Sequence, residues 1–205
     1  FSQSGTEYNI SLIENEILHS KKKVIIIGHS YGGLYSMTTL LKNRKLWPKV
    51  KSLITIQSPF KGSEVAQAIN DTWYLKPFAL LILKIFGGDY DGLSDITKTA
   101  RIAQNQYWQS SYTDLFDHIV TINITSHINK NFFQKLIWNQ NQKTDGVIES
   151  DSAIIKHKGV YWLSLPGWNH VDTISSINEQ WLLNKQKTQR DTLINSLLSV
   201  VLDLI

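Results

Sequence analysis

A serine flanked by glycines follows a run of β-branched residues in the stretch 24–33, VIIIGHSYGG. The segment from Gly28 to Gly32 matches the pattern G-x-S-x-G, in which a serine occupies a sharp turn between a strand and a helix. Small residues two places before and after the serine avoid collisions with the neighbouring strand and helix. The N-terminus of the following helix points at the serine, where its dipole favours an oxyanion. We interpret Ser30 as a nucleophile, with an ordinary structural turn as the alternative.

A serine hydroxyl is a poor nucleophile until a base accepts its proton, so a histidine must act with Ser30. The chain has six histidines. His170 follows the last predicted strand in PGWNHVD, at the carboxyl edge of the predicted sheet, which makes it the candidate base. His29 lies inside the turn, and we expect its side chain to point away from the chemistry. The remaining histidines precede the serine or are expected at surface and loop positions: His19, His118, His127 and His157.

The third member of such a site is a carboxylate that orients the base, and the chain order serine, acid, histidine places it before His170. Asp145 stands beside a glycine in TDGVIES, residues 144–150, between two predicted strands. An Asp-Gly pair alone indicates only a turn. With Ser30 and His170 assigned, an orienting carboxylate is the better interpretation of Asp145. The alternatives are Asp117 and Asp151.

The elements predicted around these residues alternate between strand and helix. Apolar spacing predicts a helix over 9–19, and a β-branched run predicts a strand over 23–27 that is buried on both faces. A helix over 33–43 and a strand over 50–56 complete a βαβ unit, which indicates an α/β fold with a mostly parallel sheet. Further elements are predicted nearer the C-terminus: strands over 118–125 and 160–165, and an amphipathic helix over 188–204.

Residues 64–110 are predicted to form a helical, cap-like insertion within a single domain that spans 1–205. Its centre, 73–86, reads WYLKPFALLILKIF and is apolar almost all round. This stretch is too short to span a bilayer, so no transmembrane segment is predicted. Two interpretations remain open, a buried core helix and a mobile lid that contacts a lipid interface when it opens.

Composition excludes several classes of protein. The chain has 205 residues, of which 42% are hydrophobic and 19% charged, as in a globular domain rather than a disordered chain. The formal charge of +4 is spread along the sequence, and its only cluster precedes a strand, so no nucleic-acid partner is expected. That cluster is Lys21, Lys22 and Lys23. Because cysteine is absent, disulfides and thiolate metal sites are excluded.

Four motifs together resemble the bacterial secreted triacylglycerol lipases and related esterases of the α/β-hydrolase fold. They are GHSYGG, SPFKGS at 58–63, TDGVIES and NHVD at 169–172. The chain departs from the family pattern at Phe60, where those enzymes usually have histidine. The resemblance implies a three-layer α/β/α hydrolase fold. It also implies roles for individual residues: Ser30 as nucleophile, Asp145 as acid, His170 as base, and the backbone N–H of Tyr31 as one half of the oxyanion hole.

The resemblance carries expectations about ions and location as well. Some of these lipases hold a structural calcium through an aspartate two positions after the catalytic histidine, which corresponds to Asp172. Two carboxylates are the usual minimum for this cation, and none is evident near residues 123–131. The alternative is that Asp172 caps or orients the His170 loop. No cofactor is otherwise expected to be required. A secreted or periplasmic location is favoured by the resemblance alone.

The hydrolase fold normally has strands before the elbow strand, and a loop after one of them donates the second oxyanion N–H. Here the 23 residues before Val24 predict a helix and contain no His-Gly pair. We therefore expect a fragment that lacks the N-terminal strands of its fold, with the second oxyanion donor before residue 1.

The expected activity is the hydrolysis of carboxylic esters by a lipase or carboxylesterase, through an acyl-enzyme. The apolar stretch 73–86 favours an acyl chain in the substrate. Three alternatives remain, namely acyl transfer to an alcohol, thioester cleavage, and a hydrolase fold that only binds ligands.

Overall fold

The computed structural model describes residues 6–72, 90–128, 142–170, 172–173, 191–193, 195–196, 199–200 and 202–203. The strands in this part of the chain form one sheet in chain order, with every neighbouring pair parallel. In a parallel sheet all the carboxyl ends meet at one edge, which is where ligands bind in open α/β sheets. Both Ser30 and His170 follow strands at that edge. The strands are β1 (Val24–His29), β2 (Val50–Ile56), β3 (Val120–His127) and β4 (Val160–Pro166).

Helices connect the strands. The side-chain oxygens of Ser63 and Thr97 each accept a backbone N–H from three residues further on, and so begin the helices over 64–71 and 98–118. A 3₁₀ helix, Arg44–Lys49, leads into β2. The α-helices of the described residues are α1 (Thr6–His19), α2 (Tyr31–Lys42), α3 (Glu64–Asp71), α4 (Tyr90–Asp95), α5 (Lys98–His118) and α6 (Ser150–Ala153).

Apolar side chains cover both faces of the sheet. Successive residues of a strand point to opposite faces, and Leu53 and Ile54 of β2 accordingly belong to two different buried clusters. The first cluster packs the sheet against α1, α2 and α5 and includes Leu40 and Leu115, which are fully buried. The second cluster contains isoleucines of the two central strands together with Leu165 of β4. The sheet is therefore the middle layer between two apolar faces.

The predicted elements of the βαβ unit and the two later strands are confirmed, with ends that differ by at most three residues. One detail was wrong. The strand predicted to be buried on both faces is only partly buried, and Ile27 is 53% exposed. The reason is that β1 lies at the end of the described sheet, where it pairs with β2 alone among the described strands.

The described parts of the predicted insertion 64–110 are helical except at residues 72, 96 and 97, and α5 continues beyond the insertion to His118. The apolar stretch 73–86 lies outside the described residues. Of the predicted closing helix 188–204, eight of the seventeen residues also lie outside them, and the nine described ones are helical. None of the helices that the structure describes combines the length and the apolar character needed to cross a lipid bilayer.

Candidate active site

Ser30 is the single residue between β1 and α2. Its backbone has φ 52° and ψ −122°, a conformation that costs free energy for any residue with a side chain. Its N–H donates to the carbonyl oxygen of Ile56 on the neighbouring strand, at 2.8 Å. The strand thus turns sharply into the helix at Ser30, which is the geometry of a nucleophile elbow.

Two of the three glycines around the turn are required by close packing. A Cβ added to Gly28 would lie 2.4 Å from the backbone nitrogen of Gly33, and a Cβ on Gly33 would lie 2.1 Å from the hydroxyl oxygen of Ser58. The prediction that Gly32 avoids a collision was wrong, because no described atom outside its chain neighbours and the backbone of its own helix lies within 4 Å of the place where its Cβ would be. In the first turn of α2, the residue that faces the neighbouring segment is Gly33.

The structure brings Ser30, His170 and Asp145 together. The Nε2 atom of His170 lies 3.0 Å from the hydroxyl oxygen of Ser30, and its Nδ1 atom lies 2.8 Å from Oδ2 of Asp145. A carboxylate only accepts hydrogen bonds, so Nδ1 carries the proton and Nε2 is left to accept one from the serine. His170 and Asp145 are buried, at 3% and 2% exposure, so water does not compete for this pair.

A tight turn fixes the carboxylate of Asp145. Its Oδ1 atom accepts the backbone N–H groups of Val147 and Ile148, at 2.9 and 2.7 Å. Gly146, with φ 101°, supplies the backbone conformation that closes the turn. The backbone also joins acid and base directly, because the N–H of His170 donates to the carbonyl of Asp145 at 3.0 Å. One carboxylate oxygen is therefore held by the turn, while the other faces the imidazole.

The alternative acids lie elsewhere, because Asp117 near the end of α5 and Asp151 in α6 are both exposed. Tyr31, whose backbone N–H was expected in the oxyanion hole, is the first residue of α2. The positive end of this helix therefore lies directly beside the serine.

The expectation that the side chain of His29 points away from the chemistry was wrong. Its ring centroid lies 4.7 Å from that of His170, and its Nε2 atom lies 2.8 Å from the carbonyl oxygen of His170. A carbonyl only accepts, so Nε2 of His29 carries a proton and donates it. Burial, and to a smaller extent the neighbouring His170, lowers the pKa of His29 to about 4. His29 is therefore neutral at neutral pH.

Sequence reasoning missed Gln57, which is fully buried beside these residues. Its side chain contacts His29 and the backbone of Asn169. The available signal was positional, because parallel pairing of His29 with Ile56 places Gln57 at the same level as Ser30. A polar residue that ends a buried strand at the carboxyl edge is a candidate for such a site.

Asp172 closes the loop that carries His170. Its Oδ2 atom accepts the backbone N–H of Asn169 at 2.7 Å, and its own N–H donates to Oδ1 of Asn169 at 3.1 Å. Within the part of the chain that the structure describes, no three acidic or histidine side chains gather in a way that could hold a metal ion. The contacts observed for Asp172 are those of a cap.

Comparison with known proteins identifies the fold that carries this site. A family model described as a PGAP1-like alpha/beta domain matches residues 6–84. The mature form of the Bacillus licheniformis lipase BlEst2 is 19% identical with a TM-score of 0.62, over 82% of this chain and 68% of the lipase. A metagenomic carboxyl esterase is 14% identical with a TM-score of 0.72, over 99% of this chain and 64% of the esterase. A search of curated proteins gave no significant match.

The chain has the α/β-hydrolase fold, and the predicted fold class is confirmed. It spans about two thirds of the length of each of the two enzymes. At these identities the similarity establishes the fold alone, so the activity must be argued from the site.

Proposed function

We propose that the protein hydrolyses carboxylic esters, with Ser30 as nucleophile, His170 as general base and Asp145 as orienting carboxylate. The observation that carries this proposal is the chain of two hydrogen bonds through one imidazole, 3.0 Å to the serine and 2.8 Å to the carboxylate. A neutral histidine with its proton on Nδ1 is the form that can accept a proton from a serine hydroxyl.

The reaction follows from the positions of these atoms. Oγ of Ser30 attacks the ester carbonyl while Nε2 of His170 takes its proton, and Asp145 stabilises the imidazolium that forms. When the tetrahedral intermediate collapses, the C–O bond of the ester breaks and His170 gives the proton to the departing alcohol. Water then attacks the acyl-enzyme, His170 again accepts and returns a proton, and the carboxylic acid leaves.

The negative charge on the tetrahedral intermediate needs hydrogen-bond donors. We assign one of them to the backbone N–H of Tyr31, because this group follows the nucleophile at the N-terminus of α2. The helix dipole adds a positive potential at the same place.

We infer that the substrate is an ester with an acyl chain, as expected for a lipase or carboxylesterase. The two enzymes of similar fold are described as a lipase and a carboxyl esterase, which supports this class. The same three residues could instead transfer the acyl group to an alcohol or cleave a thioester, and in the absence of turnover the fold would serve as a binding module.

Rates on p-nitrophenyl esters of increasing chain length test this proposal. We expect labelling by a fluorophosphonate, and a kcat/KM that rises by up to about fourfold for each methylene buried, since burying one contributes about 0.8 kcal/mol. Fastest turnover of the acetyl ester would argue against an acyl-chain substrate. A protein that neither turns over these esters nor reacts with the phosphonate would be a binding module. Acyl transfer would appear as an ester product when an alcohol is added, and a thioesterase would prefer an acyl thioester.

Asp172 can be tested as a cap against its predicted role as a calcium ligand. Asp172→Asn keeps an oxygen that can accept the N–H of Asn169 but loses the charge that a hard cation requires. We expect this variant to keep the unfolding midpoint of the wild type, whereas Asp172→Ala loses about 1 kcal/mol of stability. A chelator should change neither result. Equal losses in both variants, reproduced in the wild type by the chelator, would show that Asp172 binds calcium.

A further inference from the structure

Gln57 combines a strained backbone with complete burial. It follows β2 directly, is 0% exposed and has φ 51°. Among the described residues, the only other non-glycine residue with positive φ is Ser30. A glutamine in this conformation costs free energy that a glycine would not, and such residues concentrate at functional sites. The strained backbone of Gln57 therefore indicates that its side chain has a function.

The amide of Gln57 has a hydrogen-bond partner for each of its donors and acceptors. Its Nε2 donates to the carbonyl of Asn169 at 2.9 Å and to the hydroxyl of Ser126. Its Oε1 accepts from the hydroxyl of Thr173 at 2.9 Å and from Nε2 of His29 at 3.1 Å. Because the carbonyl of Asn169 only accepts, the amide nitrogen must face it, and the orientation of the side chain is unambiguous.

These partners lie on both sides of His170. Asn169 precedes it, Thr173 follows it by three residues, and His29 donates to its carbonyl at 2.8 Å. The His29 ring connects Gln57 to the backbone of His170, because its single proton on Nε2 faces both the carbonyl of His170 and the side-chain oxygen of Gln57. One buried side chain at the end of β2 therefore holds the loop that carries the base.

We propose that Gln57 is a positioning residue, which acts with His29 to hold the imidazole of His170 against Ser30. This inference rests on the proposed esterase function and adds a determinant to the same site. Asp145 accepts the ring proton at Nδ1 and the backbone N–H of His170 at its carbonyl. Gln57 and His29 fix the backbone from which the ring extends. A displacement of about 1 Å at a reacting group can reduce a rate by about 10²-fold.

The charge of His29 suits this role. Since burial keeps its pKa at about 4, the ring adds no positive charge next to the imidazolium that His170 becomes during the reaction. Two titratable groups that face His170 are the carboxylate of Asp145 and this neutral ring.

Gln57→Met tests the proposal, because methionine has a similar length and volume and makes no amide hydrogen bonds. We expect kcat on a p-nitrophenyl ester to fall roughly 10- to 100-fold, with KM within about twofold of the wild type. The matched control is Thr55→Val, which lies two residues earlier in β2. Its fully buried hydroxyl bonds to Asn123 at 3.0 Å. This control should lose stability and keep kcat.

A second readout follows the base itself. The proton on Nδ1 of His170 should give a resolved resonance in the proton NMR spectrum, which broadens in Gln57→Met and stays sharp in Thr55→Val. Thr173→Val, which removes one hydrogen-bond donor to Gln57, should lower kcat by a few fold. This variant tests the positioning role of Gln57 if Gln57→Met does not fold. A folded Gln57→Met with wild-type kcat and a sharp resonance would overturn the proposal. If Gln57→Met is unfolded, a Thr173→Val variant that keeps the wild-type kcat would also overturn the proposal.

The two proposals fail in different ways. A wild type that is neither active nor labelled by the phosphonate contradicts the esterase function, and the resonance of His170 then still reports whether Gln57 positions it. An active wild type with an unaffected Gln57→Met contradicts the role of Gln57 alone.

Discussion

Ser30→Ala should lower kcat/KM for a p-nitrophenyl ester by a factor on the order of 10⁵ to 10⁶, and should abolish labelling by a fluorophosphonate. Alanine removes the oxygen that lies 3.0 Å from Nε2 of His170. It keeps a Cβ at φ 52°, so the strain of the turn is unchanged and the variant should fold. A circular dichroism melt measures folding, and a spectrophotometric assay measures the loss of rate.

Ser36→Ala is the matched control for this experiment. Ser36 lies in α2, the helix that follows Ser30, is buried, and donates its hydroxyl to the carbonyl of Gly32 at 2.7 Å. Its replacement should change stability slightly and leave labelling intact. Equal labelling of the wild type and Ser30→Ala would remove Ser30 from the mechanism and the esterase function with it.

Most of the fold was accessible from local patterns. The strand 50–56 was predicted with its observed bounds, because its apolar run is bounded by Pro48 on one side and Pro59 on the other. The serine and the loop of His170 follow strands, and a parallel sheet brings such positions to one edge without any knowledge of distant contacts. This is why Ser30, Asp145 and His170 could be singled out from the chain before their distances were known.

The parts that could not be predicted depend on contacts between remote segments. The orientation of His29 depends on a loop 141 residues further along the chain, and the hydrogen bond of Gln57 to Asn169 spans 112 residues. No periodicity within a strand or helix contains this information. Likewise, the choice between Gly32 and Gly33 depends on where Ser58 lies.

Asp145→Asn should lower kcat by about 10⁴-fold at neutral pH, as the same change does in a Ser-His-Asp triad. The turn determines how asparagine would sit. The N–H groups of Val147 and Ile148 only donate, so the amide oxygen must stay where Oδ1 is now. The amide nitrogen then faces Nδ1 of His170, which has to accept. The proton of the imidazole moves to Nε2, and a protonated Nε2 cannot take the proton of Ser30.

The controls are Asp117→Asn and Asp151→Asn, at the exposed alternative acids, and neither should change kcat. Because the turn keeps both of its hydrogen bonds to the side chain, Asp145→Asn should unfold near the wild-type temperature, which separates a wrong tautomer from a lost fold. KM should change little, since the carboxylate is buried and acts on the base. If Asp145→Asn kept its kcat while one of the exposed acids proved essential, the hydrogen bond between Asp145 and His170 would be structural and the assignment of the base's partner would be wrong.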